Sequence, residues 1–199
     1  MTLDVELYRR TIYAEARDQA GATRRISVID IGSEATERTL VFLHGFGGSA
    51  TQWVYQLQTF GSVHDLRVIA PDLRGHGLSD NPPGSKFTLS EMVDDLELIL
   101  ATLAVTSPFY LIAHSFGGAI ATEYALRHPE SLHGLVLLGV PSRFLLRQLL
   151  SLALQVPDPV FGWLAKRLKV ALFAPQHTLK YMNDHLMSTW QGAKRLPLV

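Results

Sequence analysis

The segment Phe109-Tyr110-Leu111-Ile112-Ala113-His114-Ser115-Phe116-Gly117-Gly118 constrains the fold of this chain more than any other. An apolar run of strand character leads directly into a serine, and a helical pattern starts at the next residue. Small residues, Ala113 and Gly117, stand two positions to either side of it. A turn that converts strand to helix within one residue brings its flanks nearly into contact, so only small side chains fit there. Such a turn lifts the serine Oγ above the end of a sheet and points the positive end of the following helix at it. The competing explanation is an ordinary helix N-cap serine, and the apolar strand before Ser115 weighs against it.

Further short apolar runs extend the pattern. Leu40 to Leu43, Leu66 to Ala70, Phe109 to Ala113 and Leu135 to Val140 are continuous and bounded by turn residues, as strands buried on both faces are. Two imperfectly alternating runs, Leu7 to Glu15 and Arg25 to Ile31, flank Asp18-Gln19-Ala20-Gly21 and suggest an edge hairpin. Between the later runs, Thr88 and Glu91 have capping-box spacing ahead of Met92, Leu96, Ile99, Leu100 and Leu103. A second helix is expected from Phe116 to about His128, stopped by Pro129. Alternating strands and helices predict an α/β fold with an open, mostly parallel sheet and an N-terminal antiparallel hairpin.

Two glycine-rich segments follow strands. His44-Gly45-Phe46-Gly47-Gly48-Ser49 can turn a backbone N–H toward the serine, forming a two-donor oxyanion hole with the N–H of Phe116. The same stretch also fits G-x-G-x-x-A, with Asp72 lying 22 residues past Ala50, the spacing of a dinucleotide fingerprint. That alternative, a dinucleotide-binding oxidoreductase, leaves the turn at Ser115 unexplained. Asp72-Leu73-Arg74-Gly75-His76-Gly77-Leu78-Ser79 suits a tight loop at the carboxyl end of a strand, with His76 either a base or, preferably, part of the loop's framework.

Composition narrows the classes. Hydrophobic residues are 47% of the 199, enough for a core, and the formal net charge is zero, so nothing supports whole-molecule attraction to nucleic acid. The absence of cysteine removes disulfides, thiolate metal sites and cysteine nucleophiles. No metal-ligand cluster stands out, and no cofactor is implied. No signal peptide can be read at the N-terminus, and the longest apolar stretch, Phe144 to Val156, is too short to cross a bilayer and contains Arg147. The expectation is a cytoplasmic protein without a transmembrane segment. From Arg143 onward there are eight basic and two acidic residues, against ten and sixteen before it, and the pattern becomes Leu-rich and helical. A domain boundary is expected near Ser142, with a core over 1–142 and a helical cap over 143–199.

Together, in this order and on these strands, the motifs resemble the α/β-hydrolase fold family over roughly residues 5–142. Carried over by that resemblance, Ser115 is the nucleophile, Phe46 and Phe116 give the oxyanion N–H groups, and His44, Gly45, Gly47, Gly117 and Gly118 support the loops. His44 and His114 match positions other than the family's base. The first glycine of the usual elbow is Ala113 here, a mild departure. A serine separates the chain from relatives with an aspartate nucleophile, namely epoxide hydrolases and haloalkane dehalogenases. The loop at Phe46 also lacks the proline often found in the carbon–carbon bond hydrolases. The resemblance implies hydrolysis of carboxylic esters or related acyl compounds, with a small lipophilic acyl substrate.

The family's acid and histidine lie beyond the cap, after two further strands. No aspartate closely follows Leu135 to Val140, so the chain is expected to be an N-terminal portion lacking the last two strands, with Leu135 to Val140 as an exposed, self-associating edge. A complete triad would instead use Asp158 with His177 or His185. A catalytically inactive binding module is the non-enzymatic alternative.

Overall fold

The computed structural model describes residues 3–15, 23–81 and 88–140. The chain divides into two units, Met1–Val140 and Pro141–Val199, and the described residues all belong to the first. The expected cap, with Asp158, His177 and His185, lies outside them, as does the turn at Asp18 to Gly21.

Six strands form one open sheet: β1 (Arg9–Glu15), β2 (Thr23–Ile31), β3 (Thr39–Leu43), β4 (Arg67–Pro71), β5 (Phe109–His114) and β6 (Leu132–Leu138), in the order β1-β2-β4-β3-β5-β6. The first two pair antiparallel, β2 pairs antiparallel with β4, and β4, β3, β5 and β6 run parallel. This is the mostly parallel α/β sheet with an N-terminal hairpin that the sequence pattern predicts. Three α-helices connect the parallel strands: α1 (Val54–Phe60), α2 (Leu89–Thr102) and α3 (Phe116–Arg127).

Continuous apolar strands demand cover on both faces. On one face Val41, Leu43, Ile69, Leu111 and Ala113 pack with Met92, Leu96, Ile99 and Ile120 of α2 and α3. On the other, Phe42, Val68 and Ala70 pack with Ala50, Trp53 and Leu57. The α2 start is the expected capping box: Thr88 Oγ1 accepts the Glu91 N–H, and the Glu91 carboxylate accepts the Thr88 N–H.

The two edge strands differ most from the sequence expectation. Leu7 belongs to a short 3-10 turn, Val5–Tyr8, whose N-terminal Asp4 caps the Glu6 N–H, so β1 begins at Arg9. The strand expected at Leu135 to Val140 occupies Leu132–Leu138, because Leu132 and Gly134 already sit in register against Phe109 and Tyr110. It is also not buried on both faces: Val136, Leu137 and Leu138 are each more than two-fifths exposed, since β6 ends the described sheet and pairs with β5 alone.

A buried ion pair crosses the sheet. The Arg67 guanidinium on β4 donates to both Asp30 oxygens on β2 (2.8 and 2.9 Å) and to the Leu103 carbonyl after α2 (2.8 Å). Removing one partner leaves a charge that water cannot reach. Asp30→Ala is expected to lower the unfolding free energy by about 3–5 kcal/mol in urea denaturation; a loss under 1 kcal/mol would contradict this account of the pair.

Candidate active site

Parallel strands present their carboxyl ends to one side of a sheet, and open α/β folds build sites there. The segments after β3, β4 and β5 meet on that side. Ser115 is the sole residue between β5 and α3, with φ 50° and ψ −113°, a conformation strained for any residue with a Cβ. Its N–H donates to the Leu138 carbonyl on β6 (2.9 Å), and its own carbonyl accepts the Gly118 N–H (2.9 Å). Its side chain makes no capping hydrogen bond, so the ordinary N-cap explanation fails.

Close approach explains the small residues. A Cβ on Gly117 would lie 2.6 Å from the His44 carbonyl oxygen and 2.8 Å from that of Leu43, both backbone atoms that cannot swing aside. A Cβ on Gly45 would lie 2.7 Å from His114 Nδ1 and 3.3 Å from the Ser115 Cβ. The strand-to-helix turn and the glycine loop after β3 are therefore in direct contact. Above them the Phe46 and Phe116 rings meet edge to face at 6.0 Å, and Phe46 also meets the His76 ring at 5.8 Å.

Two of the nearby imidazoles are tied to backbone groups of the loops. His44 is fully buried; its Nε2 accepts the Leu73 N–H (2.9 Å), which places the proton on Nδ1 to donate to the Gly45 carbonyl (2.8 Å). His76, also buried, donates from Nδ1 to the Arg74 carbonyl (2.9 Å). Burial holds its pKa below the usual histidine value, against the opposing pull of that carbonyl and of Asp72. His76 thus fits the loop-framework role. His114 Nδ1 is buried against Gly45 without a hydrogen-bond partner among the described residues. Both ring nitrogens of His44 are therefore occupied, and no hydrogen bond joins His76 to Ser115 among the described residues.

Asp72 is likewise committed. Its buried carboxylate accepts the N–H groups of Ala50 (2.7 Å) and Leu78 (3.0 Å) and pairs with Arg9 (2.9 Å). An acid that must hold a ribose hydroxyl cannot be enclosed this way, and the dinucleotide alternative loses its defining residue. No group of three or more His, Asp or Glu side chains suited to a metal ion occurs among the described residues.

The model of the alpha/beta hydrolase fold matches residues 38–198, and the chain belongs to that family. It is 37% identical over 101 residues to 2-hydroxymuconate semialdehyde hydrolase of Pseudomonas sp. (strain CF600), covering 50% of this chain and 35% of that protein. It is 34% identical over 110 residues to the probable lysophospholipase BODYGUARD 1 of Arabidopsis thaliana, covering 53% of this chain and 23% of that one. The match thus spans about a quarter to a third of these two relatives' length. Among solved structures, the esterase EaEST from Exiguobacterium antarcticum superposes with a TM-score of 0.72 at 22% identity, covering 94% of this chain and 74% of that one. That last likeness concerns the fold.

The strain at Ser115 is measurable. Glycine adopts positive φ freely, whereas alanine keeps the Cβ. Relief of about 1–3 kcal/mol of strain, less about 0.5–1 kcal/mol of added chain entropy, leaves Ser115→Gly more stable than wild type by about 1 kcal/mol. Ser115→Ala should show no such gain; equal stabilities for the two variants in chemical denaturation would contradict the strained turn.

Proposed function

We propose that this chain carries the nucleophile and the oxyanion-binding half of a serine hydrolase acting on carboxylic esters or related acyl compounds. The observation that supports this most is the strained turn at Ser115, held against the glycine loop that carries Phe46. Ser115 Oγ attacks the acyl carbon, the carbonyl π pair moves onto oxygen, and the resulting oxyanion rests on the N–H groups of Phe46 and Phe116. The α3 N-terminus adds its positive end to that charge. Collapse of the intermediate expels the alcohol and leaves an acyl-serine, which water then cleaves to acid and free serine. The phenyl rings of Phe46 and Phe116 favour a small lipophilic acyl group.

The proton lost by Ser115 needs an imidazole oriented by an acid, and the described residues offer none so placed. Oxyanion binding alone sustains roughly 10³–10⁴-fold acceleration over water. Slow hydrolysis of a p-nitrophenyl ester is therefore expected, with an early burst of p-nitrophenol as Ser115 is acylated; Ser115→Ala should lose the burst while keeping the slow oxyanion-dependent rate. A p-nitrophenol burst that survives Ser115→Ala would overturn the proposal. Ordinary enzyme rates that depend on Ser115 would support the nucleophile and assign the acid and base to Asp158 with His177 or His185.

The exposed side chains of β6 support a second property, self-association along this edge. The strand, Leu-His-Gly-Leu-Val-Leu-Leu, contains no charge or proline to discourage strand addition. Light scattering should show an average mass above that of one chain at micromolar concentration, reduced by Val136→Lys; a monodisperse monomer would contradict this.

A further inference from the structure

Glycine at position 45 is forced by the His114 ring, and a glycine peptide is free to rotate unless something outside it holds it. Two side chains do. In the 3-10 turn after the loop, Ala50–Trp53, the Gln52 Oε1 accepts the Gly45 N–H at 3.1 Å. A Cβ on Gly48 would lie 2.7 Å from that same oxygen, so the amide is seated inside the loop. The oxygen assignment follows from chemistry, since only Oε1 can accept from an N–H. On the next peptide plane, the Gly45 carbonyl accepts from His44 Nδ1 (2.8 Å) and from the Gly48 N–H (2.9 Å).

That second plane also contains the Phe46 N–H. A trans peptide holds its C=O and N–H antiparallel, so anchoring the Gly45 carbonyl inward turns the Phe46 N–H outward. Among the described residues, the Phe46 N–H makes no hydrogen bond of its own. We propose that Gln52, together with His44, is a positioning residue that aims the Phe46 N–H at the acyl oxygen above Ser115. This rests on the serine-hydrolase reading. Gln52 secures the plane before Gly45 and His44 the plane after it. Without the glutamine oxygen, the buried Gly45 N–H loses its partner, and that plane is free to rotate and carry the next with it.

Two variants separate the acceptor oxygen from the bulk of the side chain. Gln52→Met keeps the length without an acceptor; Gln52→Glu keeps an acceptor at the same reach. In the ¹⁵N-labelled full chain, amide exchange at Gly45 is expected to quicken at least about tenfold in Gln52→Met and to stay near wild type in Gln52→Glu. Losing an oxyanion donor outright costs about 10²–10³ in kcat, so misaiming one should cost about tenfold. Thus kcat for p-nitrophenyl ester hydrolysis should fall about tenfold in Gln52→Met with KM unchanged, and Gln52→Glu should restore it. Unchanged Gly45 exchange in Gln52→Met overturns the proposal, as does faster exchange with unaltered kcat. So does a Gln52→Glu variant that behaves like Gln52→Met. A p-nitrophenol burst that persists in Ser115→Ala marks failure of the serine reading instead, and removes the catalytic role of Gln52 while the exchange data still judge the hydrogen bond.

Discussion

A carboxylate removed from water persists only where donors surround it, and the donors that surround Asp72 come from three separate stretches of chain. Arg9 arrives from the first strand, the Ala50 N–H from the turn after β3, and the Leu78 N–H from the loop after β4. Ser27 joins the same group, receiving a second contact from the Arg9 guanidinium (2.6 Å). The hairpin edge of the sheet is thereby joined to the loops on its carboxyl side. The turn that starts at Ala50 carries Gln52 two residues on, and Gln52 grips Gly45. Through this chain of contacts a buried acid with no part in the proposed chemistry helps to set where the glycine loop lies beside Ser115.

The second constraint is steric. The α3 N-terminus approaches the β3 loop so closely that Gly117 has no room for a methyl group, and the approach is backbone against backbone. Because Ser115 must bridge β5 and α3 in one residue while its N–H stays paired to β6, it is left at positive φ. Strain of this kind persists only where the surroundings over-determine it. Here they do: Leu138 holds the N–H, Gly118 holds the carbonyl, and the β3 loop blocks the way out.

Much of this was legible from residues alone, where local chemistry has one solution. The small-residue spacing around Ser115, the Thr88–Glu91 capping box and the continuous apolar strands each encode their structure within a few positions. Helix α1 was not foreseen. Val54–Phe60 offers a short polar face with glutamines, and only Leu57 is fully buried, so its periodicity is too brief to register. The Arg67–Asp30 pair joins residues 37 apart whose types suggest surface positions, and only the pairing of β2 with β4 brings them together. Gln52 was invisible for a similar reason. A lone glutamine carries no motif, and its meaning comes from a hydrogen bond to a loop seven residues earlier. The strand pattern located the β6 segment, but its starting residue depended on register against β5.

The central claim is that Ser115 is the acyl-accepting atom of this fold. The most direct measurement is peptide mapping by mass spectrometry after brief incubation with an activated acetyl ester and acid quenching. A chain that acylates through Ser115 but deacylates slowly should carry a single acetyl group on the peptide containing Ser115, and none there in Ser115→Ala. Acetyl groups distributed over lysines and the N-terminus, with Ser115 unmodified, would contradict it.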